Sequence, residues 1–223
     1  MPPRPALTHD RIIDAAVRVA DRGGVVGVSM RNVGKELGVE AMSLYHHVDG
    51  KDALLDALTD WVFTRFELPD PQQPWRSAMT DRAASARRTL SQHPWALGLI
   101  ESRRSPGPAL LRDHDNVLAC LRSNGFSVPM AAHAFSAIDA YVYGFVLTEV
   151  NLPFEPGESA EQFVEEIADM LPADEYPFLV ELIGEQVAGR DYSYGDEFDF
   201  GLELILDGLE RRQEGRTSGD VHT

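Results

Sequence analysis

The chain has 223 residues, 43% of them apolar, which is long enough to bury roughly 70% of its unfolded surface without disulfides or metals. The single cysteine excludes an internal disulfide, the N-terminal stretch lacks the apolar core of a signal peptide, and no apolar run reaches the roughly 20 residues that span a bilayer. The sequence therefore predicts a cytoplasmic protein without a membrane segment, and its net charge of −16 argues against nucleic acid as a partner for most of its surface.

The charge is unevenly distributed along the chain. Residues 1–48 contain six Lys and Arg against five Asp and Glu, so the acidic excess lies entirely in the remainder. An acidic body repels a phosphate backbone and leaves only the amino-terminal part able to approach one. The alternative is that the acidic surface serves only solubility.

The first three predicted helices are short and closely spaced. Thr8 is predicted to cap a first helix that ends at Gly23-Gly24, and Ser29 to cap a second. Gly38 can supply the positive φ of a sharp exit, and a third helix follows within three residues. Two short helices joined by a tight turn with glycine, docked on a preceding helix, form a helix-turn-helix.

The third predicted helix has one face for packing and one for recognition. Ala41, Leu44 and Val48 are spaced to face the other two helices, which leaves the polar side chains outward. Methionine and hydroxyl side chains can contact base edges, whereas a flanking Arg or Lys would contact phosphates. The alternative is a core tyrosine followed by a solvated helix end. The outward set is Met42, Ser43, Tyr45, His46 and His47, flanked by Arg31 and Lys51.

The segment SMRNVGKELGVEAMSLYHHVDGKDALLDAL, residues 29–58, resembles the DNA-binding head of the TetR-type transcriptional regulators. The resemblance lies in the Leu-Gly-Val turn, the pairs Leu44-Tyr45 and His47-Val48, Lys51 and the ALLDAL register. A weaker similarity to the tetracycline repressor subgroup extends through residues 121–147 and 198–210. The resemblance implies that these positions touch operator DNA: Arg31, Ala41, Met42, Ser43, Tyr45, His46, His47 and Lys51.

The resemblance also implies an all-α fold with two domains. A helix-turn-helix DNA-binding domain would occupy residues 1–50, a helical ligand-binding and dimerisation domain residues 51–215, and a flexible tail residues 216–223. Ala41 and Met42 stand where the repressor prototype has glutamine and proline, so its operator sequence does not carry over.

Helical periodicity continues through the body. A long connecting helix from Lys51 to Phe66 should end at the proline-rich stretch 68–75, because proline removes a backbone donor. The acidic segment 151–177 is predicted to be either a mobile flap or short helix near a pocket mouth, or a plain solvated loop. Further helices are predicted at 75–92, about 95–102, 107–123, 128–150, 174–188 and 196–212.

Two of these helices, 128–150 and 196–212, are apolar over much of their circumference. Packed against their copies they would form the two-fold four-helix bundle of a homodimer, which the resemblance implies. A dimer would hold two recognition helices about 34–36 Å apart, so the operator should be an inverted repeat. The predicted interface consists of Phe135, Ile138, Val142, Phe145, Phe198, Leu202, Ile205 and Leu209.

The predicted ligand-binding residues are apolar and polar groups that a helical body could bring together. Glu67, Arg82, Ala86 and Thr148 stand where the tetracycline repressor has drug- and magnesium-binding side chains, and its metal-binding histidine has no counterpart near WALGLIES. We therefore expect no metal, no cofactor and an inducer other than tetracycline with magnesium; the acidic excess favours a cationic or amphipathic molecule. The candidates are Glu67, Arg82, Trp95, His114, Phe135, Asp139, Tyr143, Thr148, Glu149 and Phe178.

The function predicted from the sequence is that of a ligand-responsive regulator. It would bind double-stranded operator DNA as a homodimeric repressor, and a small-molecule inducer would release it by swinging the helix that connects head and body. One alternative is a helix-turn-helix regulator whose body is a protein-interaction module without ligand. A metal-dependent helical enzyme is disfavoured because His93, His114 and His133 lack metal-ligand spacing, so we expect no enzyme.

Overall fold

The computed structural model describes residues 6–103, 105–152, 160–167, 170–187 and 192–217. Within these ranges all regular secondary structure is helical, which confirms the predicted all-α class. A short 3₁₀ turn at Tyr194–Asp196 precedes the last helix. The helices are α1 (His9–Gly27), α2 (Met30–Leu37), α3 (Ala41–Leu44), α4 (Gly50–Phe63), α5 (Trp75–Gln92), α6 (Trp95–Ser102), α7 (Pro108–Ser123), α8 (Val128–Glu149), α9 (Ala160–Ile167), α10 (Pro177–Gln186) and α11 (Glu197–Thr217).

Helices α1, α2 and α3 form the amino-terminal head. The predicted caps are present: the Thr8 side chain accepts from the backbone N–H of Arg11, and the Ser29 side chain from that of Asn32. Gly38 ends α2 in the left-handed conformation, with φ of 67°. Helix α1 breaks at the predicted Gly23-Gly24 pair but resumes for one more turn to Gly27.

The third helix is shorter than its apolar spacing predicts. It ends at Leu44, and a tight turn through His47 follows, because the backbone N–H of His47 bonds to the Leu44 carbonyl three residues earlier. Leu44 and Val48 are nevertheless buried, as expected from their spacing. The two histidines therefore lie on a turn after the recognition helix, and not on the helix itself.

The body is built around α5, α7, α8 and α11. Helix α5 packs against α8 and α7, and α8 packs against α11 and α7. The helices predicted at 75–92 and about 95–102 are confirmed residue for residue. The connecting helix α4 stops at Phe63, three residues before the predicted end, and α10 starts three residues late because Pro177 occupies its first position.

Two predicted segments are only partly described. In the acidic segment 151–177 the short helix α9 is present, but residues 153–159 and 168–169 lie outside the described residues, so its place at a pocket mouth stays a prediction. The predicted tail 216–223 begins inside α11, which extends to Thr217, and its other residues lie outside the described part of the chain.

Polar contacts fix the head against the body. Asp21 on α1 accepts from the indole nitrogen of Trp95 and lies 2.7 Å from Nδ1 of His93. Arg103, just after α6, donates to Asp56 and Asp52 on α4 at 2.6 and 3.3 Å. A shift of α6 within the body would therefore reach both α1 of the head and the connecting helix α4.

Helix α8 is long and apolar enough to cross a membrane by length and composition, with a mean hydropathy of 1.3. The sequence was expected to contain no such stretch, so this expectation is corrected. Helix α8 packs against three neighbouring helices, and its Asp139 pairs with Arg82 inside the body. Packing of this kind is that of a core helix in a helical bundle.

The apolar stripes predicted as the dimer interface mostly pack inside the subunit. Ile138, Val142, Phe145, Phe198, Leu202 and Leu209 are at most 7% exposed, and Phe135 and Ile205 are partly buried against the same core. Both helices are apolar on more than one face, and on each the stripe with the bulkier side chains packs into the core of its own subunit. Most of the predicted interface residues are therefore not on the surface of the subunit. The outward faces instead carry Ala132, Ala137, Ala140, Gly144 and Leu147 on α8 and Phe200 and Leu204 on α11.

Candidate DNA-binding surface and ligand-binding region

The turn between α2 and α3 depends on a close backbone approach. The backbone N–H of Val39 bonds to the Gly34 carbonyl at 2.9 Å, and α3 starts two residues later. A Cβ atom on Gly34 would lie 2.9 Å from the Val39 carbonyl oxygen and 3.3 Å from the backbone of Ala41. Only glycine at this position lets the recognition helix pack this tightly on α2.

Replacing Gly34 by alanine should therefore open the turn and destabilise the head by about 1–3 kcal/mol, since backbone atoms cannot move aside as side chains can. Chemical denaturation followed by circular dichroism would measure the loss of stability. Gly23→Ala is the matched control, because a Cβ there meets nothing within 4 Å. Equal stability of the two variants would contradict this account of the turn.

The predicted DNA-contacting side chains are exposed and unpaired. Met42 is 73% exposed on α3, Arg31 and Lys51 lie exposed in the first turns of α2 and α4, and Ala41 and Ser43 are half-buried. Within the described ranges none of the polar side chains in this set has a hydrogen bond or an ion pair. They are Arg31, Ser43, Tyr45, His46, His47 and Lys51.

Two basic side chains on α1 of the head already form ion pairs. Arg18 and Arg22 both donate to Glu36 on α2, at 2.9 and 2.5 Å. The hydrogen bond from Arg18, followed by that from Arg22, holds the pKa of the Glu36 carboxyl below its ordinary value. These two arginines therefore brace α1 against α2, whereas the unpaired set, together with the exposed Lys35 of α2, is available to a polyanion.

The body contains a buried ion cluster centred on Arg82 of α5. Its guanidinium donates to both carboxylate oxygens of Asp113 on α7, at 2.9 and 2.7 Å, and to Asp139 on α8 at 2.6 Å. Burial alone would lower the pKa of Arg82, but the hydrogen bond and charge of Asp113 and the charge of Asp139 outweigh it and raise that pKa. The cluster ties three helices of the body together.

Tyr143 and a set of aromatic rings extend this cluster. The Tyr143 hydroxyl donates to Asp139 at 3.3 Å, and burial, with the charge of Asp139, raises the pKa of that hydroxyl. The His114 ring lies edge-on to Phe135 at 4.7 Å and to Phe63 at 6.2 Å. The structure thus brings together five of the ten predicted ligand residues: Arg82, His114, Phe135, Asp139 and Tyr143.

The other five predicted ligand residues lie elsewhere. Trp95 bonds to the head, Thr148 donates to its own helix, and Glu149 pairs with Arg87 beside a separate cleft of about 420 Å³. Phe178 is 82% exposed on α10, and Glu67 is exposed beyond the end of α4. These residues lie apart from the Arg82 cluster because the spacing of residues within one helix does not determine which faces of different helices pack together.

Sequence reasoning missed Asp113. A signal was available, because Asp113, Val117 and Cys120 share one helical face and all three are buried, so a charge stands in an apolar stripe. A charge in such a position requires a buried partner. Within the part of the chain that the structure describes, no group of three or more His, Cys, Asp or Glu is arranged to hold a metal ion.

Comparisons with known proteins agree with this architecture. A family model described as "Bacterial regulatory proteins, tetR family" matches residues 12–58, and one described as "Tetracyclin repressor-like, C-terminal domain" matches residues 68–213. The HTH-type transcriptional repressor DrrR1 of Streptomyces coeruleorubidus is 37% identical over 220 residues, covering 93% of this chain and 79% of the relative. The tetracycline repressor protein class D of Escherichia coli is 28% identical over 214 residues, covering 92% and 89%.

Solved structures give the same picture. Apo ActR from Streptomyces coelicolor superposes with a TM-score of 0.77 at 28% identity, covering 95% of this chain and 99% of that one. ActR in complex with actinorhodin superposes with a TM-score of 0.75 at 30% identity, covering 94% and 99%. Both the head and the helical body are thus shared along nearly the whole chain.

Proposed function

The chain belongs to the TetR family of transcriptional regulators, which are not enzymes, and from this we propose that it is a cytoplasmic repressor that binds an inverted-repeat operator as a homodimer and leaves it when a small molecule binds the body. The observation that carries the proposal is the set of exposed, unpaired side chains on the helix-turn-helix of an otherwise acidic protein. The relatives with the same two-part architecture include transcriptional repressors.

The DNA-binding step follows from the chemistry of that set. Arg31 and Lys51 flank α3 and would contact phosphates, which position the head without reading sequence. Met42 and Ser43 on α3 would contact base edges in the major groove, for example the methyl group of a thymine. The histidines on the following turn would add contacts at the groove edge. We propose Arg31, Ala41, Met42, Ser43, Tyr45, His46, His47 and Lys51 as the operator-contacting residues.

Dimerisation is supported by apolar surface that the subunit leaves uncovered. Small residues on the outward face of α8 allow a close helix approach, and beside them Phe200 and Leu204 are exposed on α11. Helix α10 has no buried residue, although Phe178, Leu179 and Leu182 lie on it. Exposed apolar surface of this kind favours an interface, and a second copy of the chain would cover it.

Release by a small molecule is supported by ligand-bound relatives and by the contacts between head and body. ActR has been crystallised with actinorhodin and with (S)-DNPA. In this chain, Asp21 connects the head to α5 and α6, and Arg103 connects the end of α6 to the connecting helix α4, so a ligand that shifts these helices would reorient both heads of a dimer. A coupling free energy of about 2–3 kcal/mol would weaken operator binding roughly 30- to 150-fold.

Mobility-shift titration with the DNA flanking the protein's own gene tests the proposal. We expect salt-sensitive binding to an inverted repeat, since phosphate contacts release counterions. Arg31→Ala should weaken binding about tenfold and reduce the salt dependence by about one counterion per half-site, and adding Tyr45→Ala should weaken it further. Arg112→Ala, an exposed arginine on α7, is the control and should bind normally.

Two outcomes would count against the DNA-binding reading. The first is identical binding by the wild type and the Arg31→Ala/Tyr45→Ala variant, which would place the DNA contact elsewhere. The second is failure of the wild type both on the flanking DNA and in selection from random sequences at low salt.

A further inference from the structure

The ion cluster of the body has unequal numbers of charges. One guanidinium, that of Arg82, faces the two carboxylates of Asp113 and Asp139. Among the described residues no other Lys, Arg or His forms an ion pair with either carboxylate. The cluster therefore carries one uncompensated negative charge between α5, α7 and α8.

This excess charge is poorly stabilised within the subunit. A buried charge without an opposite charge costs several kcal/mol, and within the described ranges the only additional donor is the Tyr143 hydroxyl, 3.3 Å from Asp139. The His114 ring on α7 packs edge-on against Phe135 and Phe63 and bonds to neither carboxylate. The hydrogen bonds of the cluster are therefore formed, but its two negative charges face one positive charge.

The excess charge is on the accessible side of the cluster. The Asp113 side chain is fully buried and held by two parallel hydrogen bonds, whereas the Asp139 side chain is 13% exposed and has a single short one. Half-buried aromatic side chains surround Asp139: Phe135 and Tyr143 stand on the same helix, one turn before and one turn after. A cationic group placed beside Asp139 would therefore lie close to both rings.

We infer that this cluster is the recognition element for the ligand and that the ligand is an aromatic or amphipathic amine, with its ammonium group against Asp139 and its apolar part against Phe135, His114 and Tyr143. An ammonium group neutralises the excess charge, and aromatic faces attract cations in addition. An anionic ligand would meet a like charge at the same place. The inference rests on the proposed function only where it calls the ligand an inducer, because binding can be measured without DNA.

A pair of probes with one ring system and opposite charges tests this. Full-length protein is titrated with 9-aminoacridine, a cation at neutral pH, and with acridine-9-carboxylate, an anion, and binding is followed by fluorescence and thermal unfolding. We expect the cation to bind at least about tenfold more tightly. Asp139→Asn, which keeps the hydrogen-bonding shape and removes the excess charge, should abolish that preference. Asp115→Asn removes an exposed carboxylate from α7 and should preserve it.

The outcomes distinguish a failure of this inference from a failure of the proposed function. Wild-type protein that binds the two probes equally, prefers the anion or binds neither overturns the inference, whether or not the protein binds DNA. A preference that survives in Asp139→Asn also overturns it, because the charge would then act from elsewhere. If Asp139→Asn does not fold, Asp139→Gln takes its place in the same comparison, because the net charge of −16 could by itself favour a cation in the wild type. Failure on operator DNA with cation preference intact would refute the proposed regulator and leave this site standing.

Discussion

Replacing Arg82 by methionine should lower the free energy of unfolding by about 3–5 kcal/mol, because two buried carboxylates would lose the only cation that pairs with them among the described residues. The guanidinium is among the most buried large side chains of the protein and holds α5, α7 and α8 together. Methionine has a similar length and fills much of the same space, so the loss would come from charge and hydrogen bonds more than from an empty cavity. Urea denaturation followed by circular dichroism would measure it.

Two further variants make the Arg82 test specific. Arg88→Met, an exposed arginine on the same helix, should change stability by less than about 0.5 kcal/mol. Adding Asp113→Asn and Asp139→Asn to Arg82→Met should restore part of the lost stability, since the unpaired charges are then gone. A loss below about 1 kcal/mol for Arg82→Met would show that the carboxylates are not held in the buried arrangement described.

Leu204→Glu should convert the proposed dimer to a monomer and weaken operator binding by about 10²–10⁴-fold. The side chain is 56% exposed on the outward face of α11, and two glutamates facing each other across a two-fold axis would repel in a desolvated contact. Each head alone would still meet its half-site, but the gain from linking two heads would be lost. Light scattering would give the mass and fluorescence anisotropy the operator affinity.

The matched control for the dimer is Leu111→Glu. Leu111 is 55% exposed on α7, so the two substitutions make the same chemical change at nearly the same exposure. We expect Leu111→Glu to remain dimeric with normal operator affinity. A wild-type mass of one subunit, or an unchanged dimer in Leu204→Glu, would refute the interface drawn from the outward faces of α8 and α11.

Much of the head could be predicted from sequence because its signals are local. The caps at Thr8 and Ser29 and the left-handed Gly38 each involve residues within four positions of one another, and all three are present. The predicted length of α3 was wrong. Beyond Leu44 the backbone hydrogen bond spans three residues, as in a turn, and this change leaves the apolar spacing of Leu44 and Val48 intact. The alignment of the head with a known family rested on the same short-range pattern.

Long-range choices in the body could not be predicted in the same way. The sequence identified α8 and α11 as apolar on several faces, but a helix with two apolar faces does not specify which one its own subunit covers. Packing of α8 against α5 and α7, and of α11 against α8, decided this, burying Val142 and Phe198 and leaving Leu204 outward. The predicted ligand residues lie in different places for the same reason: Arg82 pairs with Asp113 and Asp139, whereas Trp95 bonds to the head.

The sequence by itself thus determined the helix class, the helix-turn-helix and most helix boundaries, because capping, turns and periodicity act over a few residues. The tertiary structure alone decided the buried charge cluster and the free outward faces. Arg82 and Asp139 are 57 residues apart, and no local pattern pairs them. Their meeting depends on three helices competing for a common core, where an unpaired charge is too costly to leave alone.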